Sequence, residues 1–158
     1  MRYLFLLSLL ALSLCVSAQK KKELRKYNIK CLTVTQTEDG KTITDVKEFY
    51  NSRGDKIQEL NFDKEGRLKR STLYKYNSSG DCIEEVDADA LGTITEKRSY
   101  AYNAMGDKTE EMVKDKDGKQ IKRSEYSYDA KGFKTEKRTF DANNKLVSTK
   151  KYSYACNK

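Results

Sequence analysis

The chain has 158 residues, 32 Lys and Arg against 24 Asp and Glu, and no His, Pro or Trp. It is therefore basic, and it lacks the commonest general base and metal ligand. Leu, Ile, Val and Phe supply 22 of the 140 residues after position 18, too few for a thick apolar core, so composition alone points to disorder.

The chain opens with Arg2, an apolar run from Leu4 to Val16, and Val16-Ser17-Ala18. That run is short for a bilayer span and ends in small residues, which predicts a signal peptide over residues 1–18. A lipoprotein signal acylated at Cys15 is the rival reading, and Leu14 stands where such signals place a small residue. Cleavage after Ala18 leaves 31 basic and 24 acidic residues, a charge of +7, with no later apolar run long enough to span a membrane.

Periodicity then overrides composition. Glycines fall at 40, 66, 92 and 118 and again at 54, 80, 106 and 132, two series that step by 26 and contain every glycine in the protein. Each closes a four-residue window: TEDG, NSRG, DKEG, NSSG, DALG, NAMG, DKDG and DAKG, with DANN at 141–144 as a ninth. Asp or Asn first and Gly fourth predicts a type I turn followed by a left-handed residue, and Asn tolerates that conformation at 144. Nine turns predict ten strands. The fold class is all-β: an antiparallel meander of about ten strands built from 26-residue double-hairpin repeats, forming one twisted or curled sheet over residues 19–158.

Counting back from each turn assigns faces. Tyr76 is predicted opposite Cys82, Tyr74 opposite Glu84, and Thr72 opposite Val86. The same count sets Tyr100 against Glu110 and Tyr126 against Glu136. One face then collects Tyr74, Tyr76, Tyr100, Tyr102, Tyr126, Tyr128, Tyr152 and Tyr154 with Glu84, Glu110 and Glu136. The other carries Ile57, Leu73, Ile83, Val113, Ile121 and Val147. A one-residue slip would exchange the faces.

Y-[DN]-x-x-G-[DN] alternating with D-x-x-G-[KRT], and Y-x-Y at 74–76, 100–102, 126–128 and 152–154, resembles the YD repeat of Rhs-type proteins. The resemblance covers Tyr50 to Tyr154 as four units, with a degenerate unit before them in which Phe49-Tyr50 stands in for Y-x-Y. It implies spiralling β-sheet in secreted or surface proteins, with carbohydrate binding suggested for the repeats. Four or five units are expected to be too few to close a shell, and no separate domain is expected within the residues after Tyr154.

Catalysis has little to rest on, and no cofactor is implied. The Glu column reads first as cross-strand support for Tyr, Lys and Arg. Asp115-Lys116-Asp117-Gly118 has a superficial likeness to a calcium loop, but Ser124 stands where an EF-hand needs Glu, so no metal site is assigned. Cys31 and Cys82 would lie about 19 Å apart on a flat meander, beyond disulfide reach. An intermolecular bridge through Cys156, or pairing of strand edges, would give a dimer. Basic residues among Tyr suit single-stranded nucleic acid, yet export argues against it and Lys guards sheet edges.

Two functional readings remain besides an exported enzyme. One is a non-enzymatic module that binds envelope or extracellular polysaccharide through Tyr74, Tyr76, Tyr100, Tyr102, Tyr126, Tyr128 and Tyr152 with Glu84, Glu110 and Glu136. The other is a structural or protein-docking element of the envelope.

Overall fold

The structure, a computed structural model, describes residues 20–155; the signal-peptide expectation and Cys156 lie outside them. A helix over residues 20–26 is followed by ten strands. These are β1 Cys31–Glu38, β2 Lys41–Tyr50, β3 Lys56–Phe62, β4 Leu68–Tyr76, β5 Cys82–Asp89, β6 Ile94–Tyr102, β7 Lys108–Asp115, β8 Gln120–Tyr128, β9 Lys134–Asp141 and β10 Leu146–Lys151. They form one antiparallel sheet whose spatial order is the chain order, the all-β meander that the turns predict. The chain divides into two compact units, residues 1–67 and 68–158, which carry β1–β3 and β4–β10.

Eight of the nine turns are built alike. In the turn at 89–92, Asp89 Oδ1 accepts the backbone N–H groups of Leu91 and Thr93, both at 2.9 Å. Gly92 N donates to Asp89 O at 3.1 Å. The side chain closes the turn, and the left-handed residue after it lets the strands re-pair without splaying. Glycine supplies that residue with φ between 76° and 91°, and Asn144 supplies it with φ 60°.

The first hairpin departs from the predicted form. Glu38 pairs with Lys41 across Asp39 and Gly40, whose φ values of 50° and 75° make a two-residue type I′ turn. Thr37 replaces Asp or Asn at the head of this window. Its hydroxyl instead lies 2.8 Å from that of Thr42.

Register is where the structure corrects the sequence reading. Tyr76 does pair with Cys82, but Lys75 pairs with Glu84, Tyr74 with Glu85 and Thr72 with Asp87. Ile83 is an extra residue, a bulge on the outgoing strand. The same happens at Ile57, Thr95, Thr109, Ile121, Thr135 and Val147, each third after its turn's left-handed residue. One unpaired residue shifts the rest of the strand by one place, so the side chains exchange faces. Tyr100 therefore pairs with Glu111, and Tyr126 with Lys137, in place of Glu110 and Glu136.

In the second unit the corrected faces are unequal. The Tyr face holds buried Thr72, Asp87, Val113, Ser124 and Tyr126. Val113, expected on the opposite face, pairs with Arg98 among them and is 4% exposed. Leu73, Ile83, Ile121 and Val147 are exposed on the other face. That outer face is held by ion pairs: Lys75 and Lys97 reach Glu84 at 2.7 and 2.5 Å, and Arg138 reaches Glu125 at 2.5 Å.

In the first unit the helix ends in a Schellman arrangement. Ile29 N donates to Leu24 O at 2.9 Å, Asn28 N donates to Arg25 O at 3.2 Å, and Asn28 has φ 51°. Asn28 lies 26 residues before Gly54, so the helix terminus occupies the place of a preceding turn. It presses on the next one: a Cβ at Gly54 would lie 2.8 Å from Lys21 O, whereas one at Gly106 would meet nothing within 4 Å. Gly106→Ala is expected to cost about 1–2 kcal/mol for its left-handed backbone. Gly54→Ala is expected to cost more because the carbonyl must also move, and urea unfolding of the two variants side by side checks the order.

Candidate functional site

The bulge lets residues three apart on the outgoing strand share the Tyr face, and this assembles the site. Within the second unit, Lys108 and Glu111 are brought to 3.4 Å on β7. Tyr126 Oη donates to Glu111 Oε2 at 2.8 Å. Lys108 Nζ stands 4.7 Å from the centre of the Tyr100 ring and 5.3 Å from that of Tyr126. Lys134 and Lys137 approach the Tyr126 ring at 4.8 and 5.2 Å, and Lys134 also lies 5.7 Å from the Tyr152 ring. Tyr126 is thus buried under three ammonium groups, each attracted to the negative face of the ring.

The second Tyr of the last three Y-x-Y motifs does a different job. Tyr102, Tyr128 and Tyr154 donate to the backbone carbonyls of Cys82, Lys108 and Lys134 at 2.7, 2.8 and 2.9 Å. These bonds recur every 26 residues and tie neighbouring strands together, from the end of β6 to the start of β5, from the end of β8 to the start of β7, and from beyond β10 to the start of β9. Burial and the neighbouring Cys82 and Asp81 raise the Tyr102 phenol to about 12. Burial, with the Glu85 carboxylate, pushes Tyr100 well above the ordinary phenol range. Burial and Glu111 do the same to Tyr126.

The ten residues singled out from sequence separate into two groups. Tyr74, Tyr76, Tyr100, Tyr102, Tyr126 and Tyr128 share the half-buried face, and Tyr152 joins them past the end of β10, 38% exposed. Glu84, Glu110 and Glu136 lie on the opposite face, paired with Lys75, Ala101 and Ser127. The carboxylates that do meet the Tyr column are Glu85 and Glu111. Only the β-branched residue three places after seven of the turns could have revealed this from sequence.

Beside the ladder, an open groove of about 530 Å³ runs between turns 77–80 and 103–106, lined in part by Asn77, Asp81, Tyr100, Tyr102, Asn103 and Met105. Cys82 nearby is half-buried; burial and Glu85 raise its thiol, and both Cys31 and Cys82 are free. Among the described residues no group of three or more His, Cys, Asp or Glu is placed to hold a metal ion. No described helix is long and apolar enough to cross a membrane, which does not bear on β-barrels.

No protein-family profile matches the chain, and no curated protein does. Solved structures similar to it include a porin-like protein from Bacteroides uniformis, at 19% identity and TM-score 0.40, covering 75% of this chain and 48% of that one. TarM is similar at 12% identity and TM-score 0.32, with 84% of this chain and 25% of that chain covered. A Bacteroides fragilis protein of unknown function is similar at 14% identity and TM-score 0.21, with 80% and 96% covered. This chain spans half or less of the first two. These likenesses assign it no activity.

Burial opposes ionisation of Glu111, but the Tyr126 hydroxyl and Lys108 outweigh it and hold the carboxyl below its usual range. The stability Glu111 contributes is therefore full above its unfolded value near ~4.3 and is lost as pH falls through the lower folded value. Tyr126→Phe is expected to cost about 1–2 kcal/mol at pH 7, and less at pH 3, below the unfolded value, where that contribution is being lost. Urea unfolding at the two pH values checks both size and sign.

Proposed function

We propose that this chain is an exported, non-enzymatic repeat module of the YD-repeat type that serves the cell envelope by docking another protein along its last strand. The observation that carries the reading is β10. All six of its residues are exposed, and among the described strands it pairs only with β9. An unpaired edge presents backbone donors and acceptors at strand spacing, a template for an added strand.

The chemistry of that edge narrows the partner. Lys145, Lys150 and Lys151 stand on or beside β10, with no acidic residue from 142 to 155. Two copies of β10 laid edge to edge would oppose like charges, whereas an extended segment with Asp or Glu at alternate positions would not. Export is supported by the charged, apolar and small-residue pattern of residues 1–18, and the repeat type by the recurring Y-[DN]-x-x-G motif. A docking role also suits a Tyr ladder whose hydroxyls and ring faces are engaged by the chain's own carbonyls, carboxylates and lysines.

Polysaccharide binding is the second reading, favoured by Tyr152 and Tyr154, which are 38% and 56% exposed at the end of the ladder. Tyr rings recurring every second strand, about 10 Å apart, match a repeating sugar chain.

The two readings predict opposite mutational results. Tyr152 N donates to Thr135 O, so alternation turns the Thr149 N–H away from β9 and lets Pro replace it without breaking the sheet. Binding of the full chain is measured against an extended peptide in which Glu alternates with Thr or Val, and against a glycan panel. Docking predicts that Thr149→Pro weakens peptide binding at least about tenfold while Tyr152→Ala leaves it unchanged. Glycan binding lost in a folded Tyr152→Ala variant and kept in Thr149→Pro would replace docking with the polysaccharide reading.

A further inference from the structure

Turns 51–54 and 103–106 lie two repeats apart and differ in what covers them. In the first unit the helix over residues 20–26 lies on the turn. Lys21 forms an ion pair with Asp55, whose side chain is 1% exposed. Lys20 bonds Glu48 at 3.2 Å and stands 5.9 Å from the Tyr50 ring centre. Leu24 and Tyr50 are 7% and 6% exposed. The helix therefore rests on Glu48, Tyr50, Gly54 and Asp55.

Adding two repeats to those four positions gives Tyr100, Tyr102, Gly106 and Asp107. Tyr100, Tyr102 and Gly106 line the open groove, and Asp107 is the next residue along the chain. The slot is the same in backbone design and is open where the first is filled. Asp107 bonds Asn103 as Asp55 bonds Asn51, at 3.1 Å in each case. Asp55 additionally has Lys21 and Arg53, while Asp107 takes part in no ion pair among the described residues. Met105, in the position of Arg53, is 73% exposed and offers an apolar contact.

We propose that the groove between turns 77–80 and 103–106 is a docking site for a short lysine-bearing helix of a partner protein, one that resembles this chain's own residues 20–26. An ammonium group reaches Asp107 as Lys21 reaches Asp55. A second lies against the face of Tyr102, the counterpart of Tyr50, and an apolar residue in the place of Leu24 covers Met105. The volume of about 530 Å³ accommodates such side chains. This site is separate from β10 and does not depend on pairing there.

The test uses the full chain and a synthetic peptide, QKKKELRKYNIK, which copies residues 19–30. Titration followed by NMR is expected to shift the amides of residues 77–83 and 100–107. Asp107→Asn preserves the turn and is expected to weaken binding about tenfold, the effect of one charge-assisted contact. Asp55→Asn is expected to leave it unchanged. Absence of binding at about 1 mM peptide, where side-chain contacts of this kind would register, overturns the proposal. So does binding that Asp55→Asn abolishes and Asp107→Asn does not, because the peptide is then displacing the chain's own helix. A peptide with Glu in place of its three consecutive lysines that binds equally well overturns it too.

Discussion

Everything else in this protein depends on one side-chain cap. An Asp or Asn at the head of eight of the nine turns accepts backbone N–H groups and fixes a type I turn, which then requires a left-handed residue to rejoin the ladder. Where Thr37 replaces the cap, the chain takes a different, two-residue turn. The capped turn is succeeded by a bulge three residues on, and that bulge decides which side chains look at the Tyr face. Backbone chemistry at the strand ends thus sets side-chain chemistry in the middle of the sheet.

A sheet without a second layer must still keep water from one of its faces. Only Leu24, Tyr50, Ala88, Val113 and Tyr126 are buried hydrophobic residues among those described. The cover is made instead by amphipathic side chains that lie over their neighbours: Tyr rings with bonded hydroxyls, and lysine stems whose ammonium groups rest on those rings. Each contact is weak, and single surface ion pairs contribute little. Their repetition at the same register makes the contributions add along the array. The small Ser124, fully buried between Glu111 and Thr139, lets the large side chains on either side close over the backbone.

The repeat was legible because turn chemistry is local. Asp or Asn at one position and Gly three later state a hairpin within four residues, so strand number, order and antiparallel sense come directly from spacing. Side-chain facing was not legible by the same count, because a bulge is invisible to a rule that assumes strict alternation. Glu84 and Glu85 are adjacent acids, and nothing in composition says which one faces Tyr74. The β-branched residues Ile57, Ile83, Thr95, Thr109, Ile121, Thr135 and Val147 mark the bulge, yet they read as ordinary strand formers. The helix over 20–26 was hidden too, since KKKELRK has one apolar residue and its stability comes from what Leu24 and the lysines meet in the fold.

That helix explains how the array begins. A repeat buries its face only against a neighbour, so the first repeat needs a substitute for the one before it. Asn28 keeps the left-handed position of the missing turn's glycine, and the helix behind it lays Lys20, Lys21 and Leu24 on residues whose counterparts two repeats on, Tyr100, Tyr102, Gly106 and Asp107, line or border the open groove. Burial opposes ionisation of Glu48 in that contact, but hydrogen bonds from Tyr50, Lys56 and Lys20 prevail and lower its carboxyl to about 2. A capped and an uncapped copy of one surface then coexist in a single chain. The capped copy states the chemistry that the surface accepts, and that is why the open groove at Gly106 reads as a place for a cationic helix.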